Sequence, residues 1–153
     1  ARNVEAAEKG ETLELQAGVK ISVNGEKWLS AEERVEIYEN SGIDTSKVNY
    51  DTKKIEVSVC LKNTTEEEKE VPITYLSLET TGVGTAISQE LLMGNSEHYG
   101  SMVEKLEPGE EKVVTYPYEI CSIWFHKKDW KNIEMRSFWM TFASYPDKIV
   151  LYL

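Results

Sequence analysis

The chain has 153 residues, of which 41% are hydrophobic and 10% aromatic, a composition that excludes a disordered protein and suits one folded domain. Acidic side chains outnumber basic ones by 27 to 17, which gives a formal net charge of −10. This balance argues against binding to nucleic acids and against electrostatic adhesion to anionic membranes, because both need clustered Lys and Arg. No apolar run approaches the roughly 18 residues of a membrane-spanning helix, so no transmembrane segment is predicted. The first residues also lack the apolar stretch of a signal peptide.

The amino-terminal part predicts a polar tail followed by a strand. Residues 1–11 are small, polar and charged, and we expect them to form a linker or disordered terminus. Residues 12–153 then form a single domain. Its first strand runs from Thr12 to Val23 with a glycine bulge or kink at Ala17-Gly18, and Asn24-Gly25 predicts a tight turn after it.

Residues 30–40 fit two patterns. Ser30 and Glu33 have the spacing of a capping box, and Gly42 stands where a helix would end in the left-handed conformation. Val35 and Ile37 also alternate as they would in a strand. We favour a short helix over residues 30–40, followed by a loop from Ile43 to Thr52.

The clearest strand runs from Lys53 to Asn63, and we expect it to lie at the centre of the fold. Its apolar side chains share one face because they occur at every second position: Ile55, Val57, Val59 and Leu61. The opposite face carries the polar series: Lys54, Glu56, Ser58, Cys60 and Lys62. Each apolar side chain stabilises the fold by roughly 1.5–3 kcal/mol when it is fully buried, so this strand can anchor a core.

The remaining segments read as further short strands. Alternating side chains predict strands at Val71 to Leu78, Ala86 to Met93, Tyr99 to Leu106, Lys112 to Ile120, Arg136 to Ser144 and Lys148 to Leu153. The segment Leu106 to Glu110 predicts a type II turn, since Pro108 fixes φ at the second position and Gly109 accepts positive φ at the third. Six to eight short strands separated by turns predict an all-β Greek-key sandwich; the amphipathic helices of a parallel α/β fold are missing.

Two local sequences allow alternatives. Asn63-Thr64-Thr65 has the form of a glycosylation site, but a turn in which Asn63 bonds its own backbone is the simpler interpretation. Cys60 and Cys121 both lie on the polar phase of their strands, so they could form a disulfide on an outer sheet face or remain two unpaired thiols.

Parts of this pattern resemble a known group of proteins. The strand end Val57-Ser58-Val59-Cys60-Leu61-Lys62-Asn63, the turn Leu106-Glu107-Pro108-Gly109-Glu110 and the final hairpin are similar to the small immunoglobulin-like domains of uncharacterised envelope lipoproteins in Gram-positive bacteria. The resemblance covers about residues 50–153. It implies a two-sheet immunoglobulin-like sandwich, an extracytoplasmic location (secreted or membrane-anchored at the cell surface), a lipid anchor upstream and no known activity. Two departures are the absence of a lipobox cysteine from this sequence and a long insertion over residues 24–50.

The sequence contains no recognisable catalytic or metal-binding pattern. Neither His98 nor His126 has a His, Cys or carboxylate at the spacing of metal ligands. The glycine-rich motifs of nucleotide-binding proteins and the serine motif of hydrolases are also missing. We therefore expect no enzyme activity, no catalytic residues, no cofactor and no metal site.

One segment has an unusual composition, Ile123 to Lys131, because it places two Trp beside Lys and His in an otherwise acidic chain. Exposed Trp next to cations can stack on sugars or contact a partner, which makes candidate ligand-binding residues of Trp124, His126, Lys127, Lys128 and Trp130. The alternative is that the aromatic side chains plug the end of the sandwich while the lysines stay solvated.

The predicted function is a non-catalytic extracytoplasmic spacer or interaction module, whose partner is a cell-envelope protein or glycan. The alternative is a carbohydrate- or peptide-binding domain that uses residues 123–131.

Overall fold

The computed structural model describes residues 3–43, 51–144 and 146–153. Its strands are β1 (Asn3–Ala7), β2 (Leu13–Gln16), β3 (Val19–Trp28), β4 (Thr52–Asn63), β5 (Lys69–Pro72), β6 (Ser77–Thr80), β7 (Val83–Thr85), β8 (Val103–Leu106), β9 (Glu111–Cys121), β10 (Trp139–Ser144) and β11 (Asp147–Tyr152). Its helices are α1 (Ala31–Ser41), α2 (Gln89–Gly94) and α3 (Lys127–Lys131), and 3₁₀ turns lie at Ser122–Trp124 and Ile133–Met135.

The strands form two main sheets that enclose the core, which confirms the predicted all-β sandwich fold class. The first sheet has the order β1-β11-β10-β6-β7 and the second β2-β3-β4-β9, while β5 and β8 pair separately. Along the chain, β1 belongs to the first sheet, β2 to β4 to the second, β6 and β7 to the first, β9 to the second, and β10 and β11 to the first. The four apolar side chains predicted to line the central strand β4 are all at most 1% exposed, so β4 anchors the core as expected.

The predicted disordered terminus is wrong for Asn3–Ala7. This segment forms β1 and pairs in parallel with β11, with Asn3 opposite Asp147 and Ala7 opposite Leu151. The sequence of β1 gave no sign of a strand, because four of its five side chains are exposed: Asn3, Val4, Glu5 and Ala6. Strand β1 is stabilised by backbone hydrogen bonds to β11, at the other end of the chain.

The segment Thr12 to Val23, predicted as one strand, contains β2 and the first half of β3. Gly18 has φ of +77°, so residues 17 and 18 form a hairpin turn between β2 and β3 and not a bulge within one strand. The pairing of β2 with β3 shifts register between Glu14 and Gln16. The pairing of β3 with β4 shifts at the predicted turn, between Val23 and Gly25. Strand β3 then continues through Asn24-Gly25 to Trp28.

The predicted helix over residues 30–40 is confirmed as α1. The Ser30 side chain accepts a hydrogen bond from the Glu33 N–H, the Glu33 carboxylate accepts one from the Ser30 N–H, and Gly42 closes the helix with φ of +68°. The loop predicted from Ile43 to Thr52 falls mostly on residues 44–50, which lie outside the described residues.

Two other predicted strands have a different structure. The segment Val71 to Leu78 is interrupted, so that β5 pairs with β8 and β6 pairs with β10 in the first sheet. Residues 89–94 form helix α2 and not a strand, with Leu91 and Leu92 buried. The strand predicted within Tyr99 to Leu106 is present as β8.

Two predicted turns are confirmed. The Glu110 N–H bonds to the Glu107 carbonyl at 3.0 Å, and Gly109 has φ of +75°, as a type II turn requires. Asn63 is completely buried, and its Oδ1 accepts from the Thr65 N–H at 2.9 Å. Its Nδ2 donates to three carbonyls, so glycosylation of Asn63 is incompatible with the folded chain.

Of the two alternatives for Cys60 and Cys121, the structure shows the unpaired thiols and not the disulfide. On the paired strands Cys60 lies opposite Val113, and Cys121 lies opposite Thr52. Positions 113 and 121 of β9 are eight residues apart, roughly 27 Å along the strand, whereas a disulfide needs Cα atoms within about 7 Å. Burial raises the pKa of the Cys121 thiol to about 11.

The outer face of the second sheet is covered by helices, which the strand pattern of β4 did not predict. Tyr38 of α1 lies over this face and accepts a hydrogen bond from Lys54 Nζ at 2.6 Å, and Asn40 of α1 donates to Asn95, which follows α2, at 2.9 Å. Lys54 is 0% exposed and Glu56 is 7% exposed, although both belong to the polar face of β4. This buried polar layer is the main departure from a bare two-sheet sandwich.

Candidate functional site

All four tryptophans gather at one end of the sandwich. Strand β3 ends at Trp28, β10 begins at Trp139, and the connection from β9 to β10 carries Trp124 and Trp130. The Trp28 and Phe138 rings touch edge to face with centroids 5.5 Å apart, which fixes the connection against the end of β3. We call Trp28 together with residues 122–139 the aromatic pole.

The structure separates the two tryptophans of the predicted ligand-binding segment. Trp124 is 40% exposed, whereas Trp130 packs against the core and lies 6.2 Å from the Phe125 ring. The two rings therefore differ in burial. His126, Lys127 and Lys128 are exposed at the start of α3, and their role in binding stays a prediction.

Arg136, which the sequence did not mark, fixes the connection to the first sheet. Its Nε donates to Thr80 Oγ1 at 3.3 Å and one terminal nitrogen donates to the Thr81 carbonyl at 3.0 Å. Its guanidinium lies 5.2 Å from the Phe125 ring centroid, and its other terminal nitrogen is 3.8 Å from Asp129. These contacts hold Trp124 and its neighbours in a defined position.

Two clefts open at this pole on either side of Arg136. The Trp124 groove, of about 350 Å³, is lined by Thr81, Gly82, Val83, Ile123, Trp124, Phe125, His126, Asp129 and Arg136. The Trp28 cleft, of about 340 Å³, is lined by Glu8, Glu26, Trp28, Ile55, Glu134, Arg136, Ser137, Phe138, Tyr152 and Leu153. Both volumes fall in the lower part of the range of small-ligand pockets.

A second group of polar residues lies beneath the helices, centred on Glu56. Its carboxylate lies 2.7 Å from His98 Nε2, and the His98 side chain is 57% exposed. The Tyr99 side chain is buried next to them, and its hydroxyl has no hydrogen-bond partner in the described part of the chain. Burial, followed by the negative charge of Glu56, raises the pKa of Tyr99 above its ordinary range.

Lys54 belongs to the same buried layer and, unlike the Tyr99 hydroxyl, has hydrogen-bond partners. Its Nζ bonds to Tyr38, to Thr52 at 3.2 Å and to the carboxylate of Glu119. The next positions on this face, Ser58 and Thr115, bond to each other at 2.7 Å. These groups hold the sheet and α1 together. Within the described ranges, no three His, Cys, Asp or Glu side chains are placed to hold a metal ion.

Residues 3–149 match the sequence family described as a domain of unknown function, DUF5028. The chain belongs to this family. No curated protein matches it significantly. Among the described residues, no helix combines the length and the apolarity that crossing a membrane would require.

Solved structures with a similar fold also come from uncharacterised proteins. An uncharacterised β-sandwich protein from Clostridium difficile 630 superposes with a TM-score of 0.51 at 12% identity, covering 100% of this chain and 96% of that one. A functionally unknown protein from Listeria monocytogenes EGD-e superposes with a TM-score of 0.54 at 12% identity, covering 95% and 82%. At this identity the similarity shows a shared β-sandwich fold.

The sequence marked Trp124, whose binding role stays a prediction, but it did not mark Arg136, which holds the connection around Trp124. Arg136 at the aromatic pole, and Glu56 in the separate polar group, contact residues that are distant in the sequence, such as Thr80 for Arg136 and His98 for Glu56. The sequence signal for this region was the density of aromatic residues over 123–131.

Proposed function

We propose that this DUF5028 domain is a non-catalytic, extracytoplasmic interaction module of a Gram-positive cell-envelope protein, and that it contacts its partner through the aromatic pole. The envelope location is supported by the resemblance of the β4 strand end and the Pro108-Gly109 turn to envelope lipoprotein domains, and both features are present in the fold.

The observation that carries the proposal is an exposed apolar surface on a fixed connection. Ile123 is 66% exposed, Trp124 40% and Met135 84%, and all three lie on the connection that Arg136 anchors. Large apolar side chains exposed together on a rigid element are typical of protein-binding surfaces, since a partner can bury them at little cost in conformational entropy.

The proposal that the domain is non-catalytic is supported by the bonding of its buried ionisable side chains, which contact other groups of the fold. Lys54 is bonded to Tyr38, Thr52 and Glu119. The Glu104 carboxylate accepts from the Ser101 N–H at 2.8 Å and from Tyr116 at 3.2 Å. Groups bonded in this way hold the loops over the sheet.

The contact surface can be tested with purified envelope material from a Gram-positive bacterium. We expect the wild-type domain to sediment with it and the Trp124→Ala variant to remain in solution. Tyr75→Ala is the matched control, because Tyr75 is 68% exposed but precedes β6, away from the aromatic pole. Equal sedimentation of wild type and Trp124→Ala would contradict the assigned surface.

The location requires a separate measurement on the complete gene product. We expect the full-length protein to appear in the membrane and wall fractions of its host, and its upstream coding sequence to contain a lipidated Cys. Recovery in the cytoplasmic fraction alone would overturn the envelope proposal and leave the contact surface to be judged by the sedimentation result.

The second candidate function is binding of a carbohydrate or a peptide in the Trp124 groove. It is favoured by the exposed Trp124 ring beside Asp129 and His126, since a sugar can stack on the ring and bond to the polar groups. A screen of glycans and cell-wall fragments by Trp fluorescence tests it. A response to one of these probes that Trp124→Ala removes would support this candidate, and a response that Trp124→Ala retains would exclude the groove.

A further inference from the structure

We propose that the Trp28 cleft binds an organic ammonium group, such as a quaternary ammonium head group or the amine of a lysine side chain. This site lies on the other side of Arg136 from Trp124. The inference depends neither on the cellular location nor on the contact surface proposed above.

The walls of the cleft supply aromatic surface. Trp28 and Phe138 meet at 70° between ring planes, so the edge of one ring rests on the face of the other and the pair is held rigidly. Tyr152 forms another side and is 39% exposed. The faces of Trp and Tyr rings attract organic cations within about 6 Å, and Trp is the strongest of these side chains.

The mouth of the cleft supplies negative charge from Glu8, Glu26 and Glu134. Glu26 pairs with Lys9 at 2.9 Å and Glu134 with Lys53 at 2.7 Å. Both pairs are well exposed, so each contributes at most about 1 kcal/mol and can be exchanged for a cationic ligand. Among the described residues, no cation pairs with Glu8.

Arg136 also lines the cleft, but its positive charge is countered by Asp129 and its donors bond outside the cleft. They bond to Thr80 and Thr81, the guanidinium lies on Phe125, and Asp129 balances its charge. An aromatic wall, a carboxylate rim and a fixed Arg together favour a compact organic cation over an anion. The volume of about 340 Å³ suits a small head group or the end of a side chain.

The test uses the full chain and compares choline with 3,3-dimethyl-1-butanol, which has the same shape without the charge. We expect choline to shift the NMR signal of the Trp28 indole N–H saturably and the neutral analogue to shift it far less. Nα-acetyl-lysine amide in place of choline then shows whether a primary amine is also accepted. Equal shifts with choline and its neutral analogue, or no saturable shift with either cation, would overturn the proposal.

The matched variants are Glu8→Gln and Glu66→Gln. We expect Glu8→Gln to weaken choline binding about two- to fivefold, the range for loss of one exposed charge contact, and Glu66→Gln, in the distant β4–β5 turn, to leave it unchanged. Trp28→Leu should remove most of the choline binding, because it removes the aromatic face. Since this substitution can also disturb folding, the Glu8 comparison decides the result if the Trp28→Leu variant is unstable. Equal effects of the two Glu substitutions would assign the binding to overall charge and refute the site.

Discussion

The buried polar layer under α1 and α2 and the aromatic pole differ in whether their polar and aromatic side chains are bonded within the fold or exposed to solvent. In the polar layer, Lys54 and Glu56 are almost completely buried, and each bonds to a side chain from another element. At the aromatic pole, the anchoring residue Arg136 is bonded, whereas Ile123 and Trp124 remain in solvent. The difference separates groups that hold the fold from groups that are available to a ligand. Substitutions should therefore reduce stability in the first region and, for the exposed residues, binding in the second.

The largest expected effect is at Lys54. The Lys54→Met substitution should lower the free energy of unfolding by about 3 kcal/mol, because it leaves the Glu119 carboxylate without its cationic partner. The figure is at the low end for a broken buried pair, since Glu119 is 35% exposed. Urea denaturation measures the effect. Lys62→Met is the control on the same face of β4, because Lys62 is exposed and its replacement should change stability by less than about 0.5 kcal/mol. Similar losses in both variants would contradict the structural role of Lys54.

A smaller effect is expected at Trp130, within the aromatic pole. Trp130→Ala should lower the free energy of unfolding by about 2 kcal/mol, since the ring packs against the core, whereas Trp124→Ala should lower it by less than about 1 kcal/mol. Thermal and urea unfolding of the two variants compare them directly. If Trp130→Ala were as stable as wild type, Trp130 would belong with Trp124 to the exposed surface.

The contact between α1 and α2 can be opened by one methyl group. A Cβ at Gly94 would lie 2.6 Å from the Ser41 Cα, so Gly94→Ala should force the helices apart and lower stability by about 1–2 kcal/mol. Hydrogen exchange should then increase in α1 and α2 before it increases in the sheets. Gly25→Ala serves as control because its Cβ would meet nothing within 4 Å. Unchanged exchange in α1 would show that the two helices do not depend on close contact.

The smallest effect concerns the exposed start of α1. The hydrogen bond from Lys27, and next the one from the Ser30 N–H, lower the pKa of Glu33 to about 2. A lowered pKa in the folded state means that the ionised group stabilises the fold above its ordinary pKa and loses this contribution as the pH falls toward 2. The difference in melting temperature between wild type and Glu33→Gln should therefore be constant near neutral pH and shrink in acid. A difference independent of pH from 7 to about 2 would contradict this assignment.

Much of the fold follows from local sequence. The inner face of β4 was predicted because side chains alternate across a strand, and α1 because Ser30 and Glu33 satisfy its first N–H groups. The turn at Pro108-Gly109 followed from the dihedral angles that these two residues favour. These features depend on interactions between residues that are close in the sequence, so a local sequence pattern is enough to predict them.

The sequence determined the sandwich, its central strand and the aromatic density at 123–131, since alternation and turn preferences operate over a few neighbouring residues. Only the tertiary structure decided that β1 pairs with β11, that Cys60 and Cys121 lie far apart, and that Lys54 and Glu56 are buried. It also decided that Arg136 divides the aromatic pole into two clefts. Each of these depends on strand register or on an element that arrives from a distant part of the chain. A local pattern contains no information about that partner.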